Sequence, residues 1–163
     1  MWLNRMLIAA ALLAALALGA TASARPQRLA VGAAGGCDAA VVHGVLPSWA
    51  RAGFSDPRPR MPYELGRAGK IAAILWADPL RSPPPQDHNN KILWVSRTIP
   101  SAPTALWIHA QRMTGSHAVG LPVTRVVKGG PGPSIIDLPT AGCWRLSLTW
   151  SDRTDTLDLQ YAP

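Results

Sequence analysis

The chain has 163 residues, 48% of them hydrophobic, and carries 16 basic against 9 acidic side chains for a formal net charge of +7. That length holds one domain with a real core and excludes two. The positive excess favours loose attraction to anionic envelope polymers or lipid headgroups; with no nucleic-acid motif beside it, it does not imply nucleic acid.

Residues 1–24 read as a secretory signal. Arg5 supplies the positive start, Met6 to Gly19 is an Ala/Leu-dominated apolar run, and Thr21-Ala22-Ser23-Ala24 places small residues at the −3 and −1 positions of a cleavage site. The alternative is an uncleaved anchor, but the run is short against the ~20 residues that a spanning helix needs. No later segment is apolar enough to span. The signal holds one of the 16 basic residues and none of the 9 acidic ones, so the mature chain, 25–163, carries +6. Much of that excess lies before residue 98, in Arg51, Arg58, Arg60, Arg67 and Lys70 among others.

Residues 25–40 read as a flexible leader, and 41–163 as a single domain. From Val41 to Phe54 the segment is mixed, and Leu46-Pro47-Ser48-Trp49-Ala50-Arg51 suits one helical turn with Pro near its start. Asp56 to Pro62 carries three prolines and reads as loop or extended chain. Strand signals then follow in series. Lys70 to Trp76 is an apolar run, and Asp78 to Asn90 breaks it with Pro79, Pro83, Pro84 and Pro85. Lys91 to Arg97 reads as a central strand. Thr104 to Gln111 alternates, with Leu106, Ile108 and Ala110 on one side and Trp107, His109 and Gln111 on the other. Leu121 to Lys128 is rich in β-branched residues, residues 129–133 must turn, and Ser134 to Leu138 is a short strand.

The C-terminal third gives the clearest pattern. Trp144, Leu146, Leu148 and Trp150 face one way; after Ser151-Asp152-Arg153-Thr154, Leu157, Leu159 and Tyr161 alternate again. Two period-2 strands joined by a short polar loop predict a hairpin. About seven short strands with Pro/Gly-rich turns predict an all-β fold, an antiparallel immunoglobulin/fibronectin-like β-sandwich. The two cysteines, Cys37 and Cys143, sit in a chain bound for an oxidising compartment, where an even count argues for one disulfide. It would close a loop of roughly 100 residues, worth about 4–5 kcal/mol in the chain-entropy model. A lipidated Cys37 is the competing reading, disfavoured because Ala34 is a poor −3 residue and the apolar run ends far upstream. Cys143 has the parity of the outward face, so its bridge would tie the leader across the outside of the sandwich.

Three stretches carry a resemblance: Asn90-Lys91-Ile92-Leu93-Trp94-Val95, Pro133-Ser134-Ile135-Ile136-Asp137-Leu138-Pro139, and Gly142-Cys143-Trp144-Arg145-Leu146. Over roughly residues 37–161 the chain resembles uncharacterised secreted or lipid-anchored bacterial proteins with a similar strand at "NKILW" and another at "GCW". The resemblance implies a sandwich and an envelope location. It brings no activity and no catalytic residues.

Chemistry-bearing patterns are sparse. Glu64 is the single glutamate, and Asp152, Asp155 and Asp158 lie in or beside one hairpin, where carboxylates are expected to be solvated rather than catalytic. His43, His88, His109 and His117 show no metal spacing, and three of them fall in expected loops or irregular segments. Asp87-His88-Asn89-Asn90 reads as a turn, with too little charge for calcium. Gly115-Ser116-His117 lacks a nucleophile-elbow context, and the glycines at 129–132 lack the Lys-Ser/Thr of a phosphate loop. No catalytic residue, metal ligand or cofactor is expected. Among the mature tryptophans, Trp107 is the best placed for the surface, and His109 shares its face; the bland alternative is that all six are core or edge-covering. Three hypotheses follow. The first is a monomeric, non-enzymatic secreted domain binding a cell-envelope polymer or a partner protein. The second is a carbohydrate-binding module using Trp107 and His109. The third is a hydrolase with a site assembled from scattered residues.

Overall fold

The structure, a computed structural model, describes residue 37 and residues 41–99, 102 and 104–163. The expected signal and, apart from Cys37, the expected leader lie outside these residues. Among the described residues no helix is long and apolar enough to cross a membrane.

Among the described residues, ten strands form two sheets. They are β1 (Val42–Val45), β2 (Arg60–Leu65), β3 (Ile71–Leu75), β4 (Leu80–Arg81), β5 (Lys91–Ser96), β6 (Leu106–Thr114), β7 (His117–Val127), β8 (Pro133–Ile135), β9 (Gly142–Trp150) and β10 (Arg153–Ala162). The first sheet has the order β1-β2-β3-β5-β8 and the second β4-β10-β9-β6-β7. Every pairing is antiparallel except β4 with β10. Strands β3, β5 and β8 occupy the places of A, B and E in an immunoglobulin sandwich, and β7-β6-β9-β10 those of C′-C-F-G. The chain leaving β3 crosses to the second sheet as β4, and β1 and β2 widen the first.

The expected count of about seven falls short by three elements. The stretch expected to be mixed chain with a helical turn contains β1 as well as a 3-10 turn at Ser48–Ala50. The proline-rich segment runs directly into β2, and the proline-rich break after Trp76 holds the two-residue β4.

Inward positions of both sheets make one core. Ile71, Ala73 and Leu75 of β3 and Ile92 and Trp94 of β5 meet Leu106 and Ile108 of β6, the alternating Trp144, Leu146, Leu148 and Trp150 of β9, and Leu157, Leu159 and Tyr161 of β10. Each buried Leu or Ile contributes about 1.5–3 kcal/mol. The buried indoles keep their N–H groups bonded: Trp94 to Ser134 Oγ at 3.0 Å, Trp144 to Thr140 O at 2.9 Å, Trp150 to Ser96 Oγ at 3.1 Å. A second, smaller cluster covers the outer face of the first sheet, where Leu46 and Ala50 of the β1–β2 connection pack with Tyr63, Ala72 and Ile74. All five residues of β3 are therefore buried.

Three polar devices join the elements. Asp155 is only 6% exposed; its Oδ1 accepts from the Ala68 and Thr156 N–H groups at 2.9 and 2.8 Å, and Oδ2 from Lys70 N–H at 2.8 Å. Asp158, 3% exposed, accepts both Nε and Nη2 of Arg145 at 2.9 and 3.0 Å and Nη2 of Arg67 at 2.9 Å. These carboxylates are not solvated, contrary to expectation, because the β2–β3 turn folds down along β10 and covers them. Asn90, at the end of the supposed loop tip, is fully buried: its amide bonds Arg81 N–H, Arg81 O and Asp137 Oδ1, each at 2.8 Å. It ties β4 to β5 and to the segment after β8.

Cys37 and Cys143 form a disulfide spanning 106 residues of sequence. Cys143 pairs with Gln160 on one side and Met113 on the other, in outward parity to Trp144. The bridge thus attaches the N-terminal chain to the outer face of the second sheet, as its parity predicts, and leaves no free cysteine.

Candidate functional site

The outer face of the second sheet is built by strand parity alone. With Leu106, Ile108 and Ala110 buried, the intervening side chains of β6 must point outward, and Trp107 is 48% exposed. Trp107 lies opposite Val126 of β7 and Thr149 of β9, and Thr149 lies opposite Thr154 of β10. One step along, His109 is flanked by Thr124 and Ser147, with Thr156 beyond. Such directly opposed side chains stand about 5 Å apart at Cβ. His109 Nδ1 and Thr124 Oγ1 are 3.1 Å apart, a hydrogen bond that fixes the ring against β7. The third row is Gln111, Arg145 and Asp158. Gln111 sits at the β6–β7 irregularity, donating to Val119 O at 2.9 Å.

The face therefore grades from an apolar end at Trp107 and Val126, through hydroxyls, to the ion-paired third row, where the disulfide begins. Trp107 and His109 come together as their parity requires.

The other tryptophans divide sharply. Trp94, Trp144 and Trp150 are core residues at 1–2% exposure, and Trp49 is half-buried in the smaller cluster. Trp76 is 51% exposed, but its ring is taken: Phe54 stacks on it at 6.2 Å and 12°, and Lys91 Nζ lies 4.9 Å from the ring centre. That cluster was not legible from parity, since Phe54 comes from the connection before β2. Trp107 has neither a stacked ring nor an overlying cation among the described residues.

No match comes from known proteins. The chain matches no family model, no curated protein and no solved structure. Its chemistry must be read from its own side chains.

Those side chains are poor in reactive groups. A cleft of about 430 Å³ at one end of the sandwich is lined by Trp94, Ser96, Ile99, Thr104, Gly130 and Pro131 among others and holds no titratable side chain. Ser96 Oγ is committed to Thr98 O at 2.8 Å and to the Trp150 indole. Of the histidines, His43 lies on β1 beside Asp78 at 2.6 Å, His117 opens β7, and His88 alone stays in a loop. Among the described residues no three His, Cys, Asp or Glu side chains come together as a metal site. Asp155 and Asp158 hold the fold rather than face a cleft.

Proposed function

We infer that this protein is an exported, non-enzymatic domain of the cell envelope that binds a surface component through the outer face of its second sheet, with Trp107 as the anchor. The observation that carries the reading is the half-exposed indole of Trp107, presented by a rigid strand and engaged by no other ring or cation among the described residues. Amphipathic, rigid indoles are the residues most enriched among binding hot spots. Export is supported by the signal-like residues 1–24 and by the Cys37–Cys143 disulfide, which persists in oxidising compartments. The likeness of the "NKILW" and "GCW" stretches to those of secreted or lipid-anchored bacterial proteins points the same way.

The test is co-sedimentation of the purified protein with isolated cell envelopes. The wild type is expected to sediment with them, and Trp107→Ala to lower the retained fraction about tenfold. Retention indifferent to this substitution would remove Trp107 as the anchor.

A further inference from the structure

We propose that the ligand of the Trp107 face is a neutral polysaccharide lying across the strands, with one sugar ring stacked on the indole. This rests on the reading that the Trp107 face is the binding surface, and it names what that surface recognises.

The first support is charge. The two rows at the Trp107 end consist of Val126, Trp107, Thr149 and Thr154, then Thr124, His109, Ser147 and Thr156. None is a carboxylate, an ammonium or a guanidinium. Asp158, in the next row, lies beneath Arg67 and Arg145. Asp152, at the hairpin tip past these rows, lies 3.5 Å from Arg153. The basic side chains Arg58, Arg60, Lys70, Lys91 and Arg97 belong to the first sheet and its connections. Arg112, Arg125, Arg145 and Arg153 belong to the second sheet and Lys128 follows β7, but all stand outside these two rows, so a partner recognised through fixed charge would find its complement beyond them.

The second is the balance of apolar and polar surface. Trp107 and Val126 supply one apolar platform, the size of a ring face. A stable contact with another protein chain, including a second copy, needs about 800 Å² from each partner around an apolar core. This face surrounds its indole with hydroxyls and an imidazole instead. Hydroxyls both donate and accept, as do the hydroxyls of a sugar, while the C–H face of a pyranose is the apolar partner that an indole needs.

The third is spacing. Neighbouring strands lie about 4.8 Å apart, close to the repeat of linked pyranose rings. A glycan crossing the strands puts one ring over Trp107 on β6, the next over Ser147 and Thr149 on β9, and a third over Thr154 and Thr156 on β10.

The experiment is retention of the purified protein on cellulose, chitin, xylan and mannan, with polygalacturonate as the charged polymer, at ~50 and ~500 mM NaCl. Retention is expected on at least one neutral polymer, changing less than about twofold between the two salts. Trp107→Ala should weaken it about tenfold or more, and Trp107→Phe less. Trp76→Ala, on the first sheet, should leave it unchanged. Soluble oligosaccharides of the retained polymer should compete better with each ring up to the third.

Refusal of every neutral polymer, loss of retention at high salt, or indifference to Trp107→Ala each overturns the proposal. The two levels separate cleanly. If Trp107→Ala abolishes envelope binding while all neutral polymers are refused, the ligand class falls, a protein partner takes its place, and the anchor stands. If envelope binding survives Trp107→Ala, both fall.

Discussion

Asp155 and Gly66 illustrate how closely one side chain and one missing side chain can depend on each other. The Asp155 carboxylate reaches the β2–β3 turn only because Gly66 has no Cβ; an added methyl would fall on the carboxylate itself. Gly66→Ala is therefore expected to cost about 3 kcal/mol through overpacking. Asp155→Ala, which strips the turn of its acceptor for the Ala68 and Lys70 N–H groups, should cost a similar amount. The two are coupled: with Asp155 already truncated, Gly66→Ala should add much less, and urea unfolding of the four proteins measures the difference. Tyr161 gives a prediction of another kind. Its hydroxyl donates to Ile136 O at 2.7 Å within the core. Burial, reinforced by Asp137 and partly offset by Arg125, pushes its ionisation well above the ordinary phenol range. An acid whose folded-state pKa is raised contributes stability in full below the unfolded pKa, about 10 for tyrosine, and loses it as pH rises further. Thermal unfolding should show this alkaline loss. Tyr161→Phe should remove the Tyr161 part of it while costing about 1–2 kcal/mol at neutral pH, because Ile136 O loses its donor.

At the scale of elements, what the sequence discloses depends on how many faces each strand buries. Strands β9 and β10 bury one face, so Trp144 to Trp150 and Leu157 to Tyr161 alternate in the sequence as they do in space. The same rule placed Trp107 and His109 outward. Strand β3 is buried on both faces and shows an apolar run with no alternation to read. Strand β2 was hidden for a different reason: Pro62 and the prolines before it spell loop, yet the segment pairs with β1 and β3 on its two sides. Strand β4, two residues long, leaves no pattern at all. Burial of Asp155 and Asp158 could not be read locally, because the groups that cover them lie 85 to 91 residues away. The sheet edges are guarded as well. Strands β1, β4 and β8 have four, two and three residues, and the long edge strand β7 is interrupted near Gly120 (φ +70°) and Pro122, opposite the irregularity in β6. Short or broken edges offer little backbone for another strand to join.

For the whole molecule, charge is spread over both sheets but leaves one patch bare. Arg58, Arg60, Lys70, Lys91 and Arg97 belong to the first sheet and its connections and Arg112, Arg125, Arg145 and Arg153 to strands of the second, all outside the uncharged Trp107 rows on the second sheet's outer face. The disulfide acts on the entire chain. Its loss in a Cys37→Ser, Cys143→Ser protein should lower stability by about 2–4 kcal/mol, read from urea unfolding, where the released denatured chain should also steepen the slope. A smaller fall would mean that the chain is already restrained before it folds.

The same bridge has a consequence outside thermodynamics. Because it joins residue 37 to residue 143, every strand from β1 to β8 lies within one covalent ring. A protease that cuts the exposed loop around Pro85, Gln86 and Asp87 makes two fragments by sequence but only one molecule, held by the sulfur bridge. In a compartment crowded with proteases, the Trp107 face would outlast the scission of its own backbone, and only a reductant would let the pieces part.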